Sequence, residues 1–315
     1  MLQGNYRIFY DRLLEKIEKK RIYHDPLHTL AFGTDASYYR LTPRMVVLTQ
    51  DEQEVSFILR RASELAIPVT FRGAGTSLSG QAITDSVLLM TRDGWTGYRV
   101  LDDGARISCQ PGITGGRLNR ILAPFGRKLG PDPASINCAA IGGIAANNAS
   151  GMSSGTDKTS LKTVQCMRII MADGTLLDTG DEMSRNSFII SHKELLDNLT
   201  TLADSVKKDD SLAEKIRKKF RLKNTTGYSI NALTDYTDPF EIIEHLMIGS
   251  EGTLGFISGI TLNTVAELPF KASSLMIFPR IREACKAVSE LTRTPVSAVE
   301  LIDRAGLKAV ENEAG

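Results

Sequence analysis

The sequence predicts an α+β fold, and two observations carry that expectation. Between Arg44 and Phe71 a strand-like run, MVVLT, leads into a helix-period segment, EQEVSFILRRASELA, and then a second strand-like run, VTF. Farther on, MRIIMADGTLLDT sets strand-forming residues on both sides of Asp173-Gly174, a strong local signal for a hairpin and so for an antiparallel pair.

The elements follow in order. Residues 1–41 read as an N-terminal arm, with a helix around Asp11 to Lys20 whose charges face water. His24 and His28 stand four apart, a metal-ligand spacing on a helix, but Pro26 between them argues against a continuous helix and against a metal. Thr49 with Glu52 three residues on predicts a capping-box start for the next helix, and Val55, Ile58, Leu59, Ala62 and Leu65 form its apolar face. SVLLMTR and ARISCQ read as strands, and Thr114 caps a helix from Gly115 to Ala123. The polar stretch from Ser191 to Phe220 is mostly helical and opens on a second capping box, Ser191 with Glu194. HLMIGSEGTLGFISGITL sets Gly249, Gly252 and Gly255 before an alternating strand; taken alone it is a glycine turn into an edge strand. After Pro269 the order strand (SLMIF), helix (REACKAVSEL), strand (VSAVELI) reads as the opening of a further domain, truncated at Gly315. A strand and helix pair this short cannot cover its own apolar faces.

Two small-residue stretches bear most directly on function. RGAGTSLSGQA, Arg72 to Ala82, contains Gly73, Ala74, Gly75, Gly80 and Gln81, with Thr76, Ser77 and Ser79 supplying hydroxyls. Glycine lets the backbone enter conformations in which successive N–H groups converge on an anion. Each such bond to a charged oxygen nets about 1.5–3 kcal/mol, so four or five hold a pyrophosphate without a lysine. PDPASINCAAIGGIAANNASG, Pro131 to Gly151, carries Ala140, Gly142, Gly143, Ala145, Ala146, Asn147, Asn148 and Ala149, whose small side chains let backbone lie against a flat ring system. A lone glycine-rich loop is most often a turn; the pair together predicts a bipartite cradle for a large phosphate-bearing ligand. The first stretch follows the second strand and leads to another strand, which argues against a nicotinamide-binding Rossmann fold, whose glycine fingerprint follows the first strand and opens a helix.

Composition narrows the remaining classes. Thirty-eight basic against 37 acidic residues leave a net charge of +1, without the basic block that nucleic-acid binding uses. No apolar run approaches the roughly eighteen residues of a membrane span, and MLQGNYRIFYDRLLEK has charges where a signal peptide is apolar. The expectation is a cytoplasmic protein, with peripheral contact to the inner membrane face left open. Cys109, Cys138, Cys166 and Cys285 form no CxxC pair, so neither a zinc nor an iron–sulfur site is expected in this chain.

RGAGTSLSG, PDPASINCAAIGGIAANNASG and IGSEGTLGFIS, in that order between Pro43 and Ala266, resemble the FAD-binding domain of the vanillyl-alcohol oxidase and p-cresol methylhydroxylase superfamily. Within it the chain looks most like the branch that holds D-lactate dehydrogenase, D-2-hydroxyglutarate dehydrogenase and glycolate oxidase. The resemblance implies a PCMH-type fold, with a small parallel βαβ subdomain and a larger, mainly antiparallel sheet with helices. It divides the chain into an arm (1–41), the FAD domain (42–267) and the beginning of a cap domain (268–315). It places the pyrophosphate against Gly73 to Ser77 and the Gly142–Gly143 region. Pro131, Asp132, Ser135, Asn147 and Gly151 then lie along the cofactor. Glu251 and Gly252 belong to the third motif, with Ile257 close by, and Lys223, Asn224 and Tyr228 fall toward the redox end. Some relatives attach FAD through a histidine of the first loop; Thr76 stands there, and a cysteinyl link at Cys138 is disfavoured, so FAD is expected to be non-covalent.

The implied chemistry is hydride transfer from a D-2-hydroxy acid, D-lactate foremost, to flavin N5, leaving a 2-keto acid. D-2-hydroxyglutarate and glycolate are alternatives, and electrons pass toward a respiratory acceptor or an iron–sulfur region. The substrate-side base is expected in the cap; His24, His28, His192 and His245 match none of its pattern, and the catalytic residues stay unassigned. A flavin-binding or electron-transfer module without turnover of its own is the competing reading.

Overall fold

The computed structural model describes residues 2–91 and 94–311 and contains two sheets. The first belongs to the N-terminal subdomain. Helix α1 (Asn5–Leu13) lies earlier than the expected Asp11–Lys20, because Phe9, Tyr10 and Leu13 supply its buried face. Strand β1 (Ile22–Tyr23) and the short helix α2 (Pro26–Ala31) follow, and α2 starts at Pro26, where a missing N–H costs nothing. Strand β2 (Met45–Thr49), helix α3 (Glu52–Glu64), strand β3 (Val69–Arg72) and strand β4 (Val87–Thr91) complete it. The order is β1-β2-β4-β3, with β4 inserted between the two arms of the βαβ unit and parallel to both. Strands β2 and β4 read as continuous apolar runs because both faces are covered.

Helix α3 shows the expected buried face of Val55, Ile58, Leu59 and Ala62, with Leu65 as its C-cap. Its cap differs from the expectation. Thr49 closes β2, donating its hydroxyl to the Met90 carbonyl at 3.2 Å, and Asp51 accepts the Glu54 N–H at 2.9 Å instead.

The second sheet is antiparallel. Strand β5 (Tyr98–Leu101), strand β6 (Arg106–Cys109), helix α4 (Gly115–Leu122) and strand β7 (Arg127–Leu129) precede helix α5 (Ile141–Asn147) and helix α6 (Ser160–Thr163). Thr114 caps α4 as its sequence predicts. Strands β8 (Val164–Ile170) and β9 (Leu176–Asp178) form the hairpin at Asp173-Gly174, with Gly174 at φ +81°. Helices α7 (Glu182–Ser191), α8 (Lys193–Lys208), α9 (Asp210–Phe220), α10 (Ala232–Asp235) and α11 (Pro239–Met247) follow. Ser191 ends α7 rather than capping α8: its hydroxyl turns back to the Ser187 carbonyl at 3.1 Å.

Strand β10 (Phe256–Ala266) is central, not an edge. It pairs with β6, β7 and β8 along its length, in the order β5-β6-β10-β8-β9 with β7 on β10. Ile257, Ile260 and Leu262 join a core with Leu118, Ile144 and Met167. Past Ala266, helix α12 (Ile281–Leu291) and helix α13 (Arg304–Ala309) form, but SLMIF and VSAVELI pair with no strand among the described residues. A strand is stable only against a partner, and here the run Leu275 to Phe278 stays exposed.

The subdomains meet along an apolar seam. Val55 and Leu59 of α3 pack with Trp95, Ile170 and Phe256, and Phe71 abuts them. Beside the seam, Arg168 of β8 grips Glu52 of α3 through Nε and Nη2 at 2.8 and 2.7 Å, while Ser258 of β10 donates to the same carboxylate at 2.7 Å. The side chains that fix this junction lie next to the end of β3, where the first glycine loop begins.

Candidate functional site

Strands β3 and β4 end together, and the chain leaves β3 into the loop 73–82 at the carboxyl ends of the parallel strands, where open α/β sheets place their ligands. Gly75 and Gly80 take φ of +71° and +79°. Gly73 is needed for a different reason: a Cβ there would lie 2.8 Å from that of Ala140 in the second segment. Within the loop, the backbone N–H groups of Ala74 through Leu78 donate to no acceptor among the described residues, nor do the hydroxyls of Thr76 and Ser77.

The second segment is knotted before it turns into α5. Asp132 accepts the N–H groups of Gly151, Ser153 and Ser154 at 3.0–3.2 Å and both serine hydroxyls as well. These bonds hold its carboxyl below the ordinary aspartate range against the opposing effect of burial. Gly151 passes so close that a Cβ would sit 1.9 Å from the Asp132 carbonyl. Helix α5 then ends at Asn148, in the left-handed region at φ +51°. Its Gly143 faces open space, with nothing within 4 Å of an added Cβ.

The third segment docks on α5. Gly249, Glu251 and Gly252 all take positive φ, and Glu251 donates its N–H to the Ala146 carbonyl at 2.9 Å. The Glu251 carboxylate then accepts from Asn147 Nδ2 at 2.6 Å and from Gln81 Nε2 at 3.4 Å. One side chain thus ties all three glycine-bearing segments together. Burial raises its pKa, and the two amide donors oppose that rise.

Between the segments lies a cavity of about 670 Å³. Arg72, Gly73, Ala74, Gly75, Thr76, Ser77 and Gln81 line it from the first segment, Ser135, Ala140, Gly142, Gly143 and Asn147 from the second, and Glu251, Gly252 and Ile257 from the third. Gly80, Pro131, Asp132, Asn148 and Gly151 do not line it. They shape the loops from behind: Gly80 against Tyr39, Gly151 against Asp132, and Asn148 through Nδ2 to the Asn224 carbonyl at 3.2 Å. Lys223 and Tyr228 brace the opposite rim through Gly151 O at 2.5 Å and Thr253 Oγ1 at 2.6 Å, and Thr225, Thr226 and Gly227 between them reach the cavity. The walls made by Phe71, Thr91 and Pro111 carry no motif that the sequence displays, while Phe256 comes from the third motif and the strap lies between Asn224 and Tyr228. A smaller cleft of about 430 Å³ beside α7 touches none of the glycine segments.

Arg72 and Glu251 are the charged residues among those described as lining the cavity. Arg72 is 5% exposed and donates to the Ala82 and Phe32 carbonyls at 2.7 and 3.0 Å, while its Nη2 is buried without a partner. Ser150 Oγ, in the same wall, is also unpartnered. A buried cation, a row of free N–H groups and small residues over an open face suit an elongated anion bearing a flat ring. FAD has that shape, and the residues present fit it.

The histidines have other employment. His24 sets its ring edge-on to Tyr10, and His28 stacks on Tyr23 while pairing with Asp25. His192 stacks on Phe188, and His245 is buried on Tyr236 with Nδ1 bonded to the Glu241 carbonyl at 2.7 Å. None lines the cavity.

Comparison with known proteins agrees with this geometry. Residues 43–180 match the family model for an FAD binding domain. D-lactate dehydrogenase of Archaeoglobus fulgidus is 25% identical over 273 residues, covering 86% of this chain and 50% of that protein. The glycolate oxidase protein GlcD of Escherichia coli K12 is 25% identical over 311 residues, covering 95% and 51%. D-2-hydroxyglutarate dehydrogenase of Pantoea ananatis is 28% identical over 248 residues, covering 76% and 24%. The chain therefore spans about half the length of the first two relatives and about a quarter of the third. A solved structure of alkyldihydroxyacetonephosphate synthase superposes with a TM-score of 0.60 at 18% identity, over 91% of this chain and 46% of that one, which establishes the shared fold.

Proposed function

We propose that this chain, whose residues 43–180 match an FAD binding domain, is the FAD-binding portion of a PCMH-type oxidoreductase that converts a D-2-hydroxy acid to the 2-keto acid. D-lactate is the substrate of first choice; D-2-hydroxyglutarate and glycolate are the alternatives, in keeping with the relatives of those names. The observation that carries the reading is the convergence of three glycine-bearing segments on Glu251 around one cavity.

When bound, FAD supplies the two-electron acceptor for hydride removal. The protein's part is binding and orientation. The N–H groups of Ala74 to Leu78 take the diphosphate, and the Arg72 charge favours it from behind the loop. Gly142, Gly143 and Ala149 leave room for a ring system. Asn147 and Gln81 are held to Glu251, so the walls are fixed before the cofactor arrives. Neither a histidine nor a cysteine lines the cavity, which supports non-covalent attachment. Residues 268–311, with Phe270, Leu275 and Ile277 exposed, contribute to the substrate side. Electrons leave toward a separate acceptor, respiratory or iron–sulfur.

Protein reconstituted with FAD and exposed anaerobically to D-lactate, glycolate or D-2-hydroxyglutarate tests the reading. Bleaching of the oxidised flavin band by one of them is expected. Flavin uptake without bleaching by any favours a binding or electron-transfer module. Acid precipitation should release all flavin to the supernatant; flavin in the pellet contradicts non-covalent binding.

A further inference from the structure

The segment Phe32 to Arg40 looks like a connector between α2 and β2, yet its contacts are with the first glycine loop. Ala36 donates its N–H to the Gly75 carbonyl at 3.0 Å, and Phe32 accepts from Arg72 Nη1 at 3.0 Å. Tyr39 lies against Gly80, where an added Cβ would come within 3.1 Å of its ring. Asp35 fixes the turn by accepting the Ser37 N–H at 2.8 Å, and Thr34 bridges to Arg40. The second Asp35 oxygen is buried without a partner, like Arg72 Nη2, and the Asp35 charge opposes the lowering of the Arg72 pKa that burial causes.

The peptide geometry makes the Ala36 contact consequential. A trans peptide unit points its C=O and its N–H in opposite directions. Gly75, at φ +71°, is the residue at which that unit could most cheaply turn over. Turned over, it would present a carbonyl oxygen to the anion and remove the Thr76 N–H from the cavity wall. Held by Ala36, which does not line the cavity, the Gly75 carbonyl faces away from the site.

We propose that residues 32–40 are a clasp that locks the Gly75–Thr76 peptide in its anion-binding orientation, with Asp35 and Ala36 as positioning residues for the cofactor. The clasp rests on the FAD reading of the loop and adds to it a coupling: cofactor binding and arm docking stabilise one another.

Hydrogen exchange of the wild-type protein, with and without FAD, reads the coupling directly. The clasp predicts that FAD slows exchange at Ala36 and its neighbours, although they lie outside the cavity. FAD titration of Asp35→Ala and Ala36→Pro, followed by flavin fluorescence, should show affinity weakened about tenfold, the effect of losing one bond that supports a charged ligand. Ile190→Ala, exposed on α7 and outside both the clasp and the cavity, should bind as the wild type does. Normal FAD binding with unchanged exchange over residues 32–40, or with both variants within twofold of wild type, overturns the clasp while leaving the FAD reading intact. Failure of the wild type to take up FAD overturns both.

Discussion

The glycines of this chain do different jobs, and each job gives a different mutational outcome. At Gly75 the issue is conformation. A valine there must hold φ near +71°, which costs roughly 1–3 kcal/mol, so the loop is expected to relax and release its free N–H groups from their common direction. Gly75→Val should therefore retain little or no flavin after gel filtration; wild-type flavin content would show that the loop is only a turn. At Gly151 the issue is contact with Asp132, and at Gly143 it is neither, since an added Cβ there meets nothing. The sequence shows that glycines cluster but not which job each one does. That depends on Ala140 of the second segment, which meets Gly73, and on the fold that brings Asp132 back against Gly151.

At the scale of elements, two buried ionisable groups set stability. Arg21 and Glu54, each about nine-tenths buried, form a two-pronged pair at 2.6 and 2.7 Å that fastens the β1 edge to α3. Removing one partner leaves a buried charge, so Arg21→Ala should cost about 3–5 kcal/mol in urea unfolding, and the double variant Arg21→Met with Glu54→Leu should recover most of it. A single variant within 1 kcal/mol of wild type would contradict the pairing.

Glu244 in α11 is a buried acid without a cationic clamp. Burial pushes its pKa up to about 7, with the Thr179 hydroxyl and Arg185 opposing and Glu241 and Asp238 reinforcing. A raised folded-state pKa means that the native protein holds a proton the unfolded chain has lost. Its contribution is complete below about 4.5 and is lost as pH rises to about 7. Glu244→Gln should therefore gain stability relative to wild type between pH 5 and 8, by up to about 3 kcal/mol. Parallel pH profiles would show that Glu244 titrates normally.

Elements with a strong local signal were legible in the sequence: the apolar face of α3, the Thr114 cap and the Asp173-Gly174 hairpin all form as read. Boundaries decided by competition were not. Thr49 and Asp51 could each cap α3, and only the neighbouring strand, which claims the Thr49 hydroxyl, settles the matter. Likewise β10 alternates like an edge strand, but three partners cover it, a fact that resides in residues far away along the chain.

For the molecule as a whole, the two subdomains are held by the Trp95–Phe256 seam and by the Arg168–Glu52 pair, and the cavity opens where the glycine-bearing segments of both converge. The motifs made the candidate site visible in the sequence. The resemblance drew attention to Lys223, Asn224 and Tyr228, and the Thr225–Gly227 strap between them lines the cavity, whereas the contact of residues 32–40 with the first glycine loop was not visible, since it is made only through tertiary structure. No described helix is long and apolar enough to cross a membrane.

The central claim is that FAD occupies the 670 Å³ cavity, and Gly143 allows a direct test because its open direction faces the cavity wall rather than the core. Titrating the wild type and Gly143→Leu with FAD, with melting temperatures of both flavin-free proteins in parallel, separates filling the cavity from damaging the fold. The expected result is one FAD per wild-type chain, equal flavin-free melting temperatures, and FAD affinity lost in the variant. Undiminished FAD binding by a folded Gly143→Leu would place the flavin elsewhere.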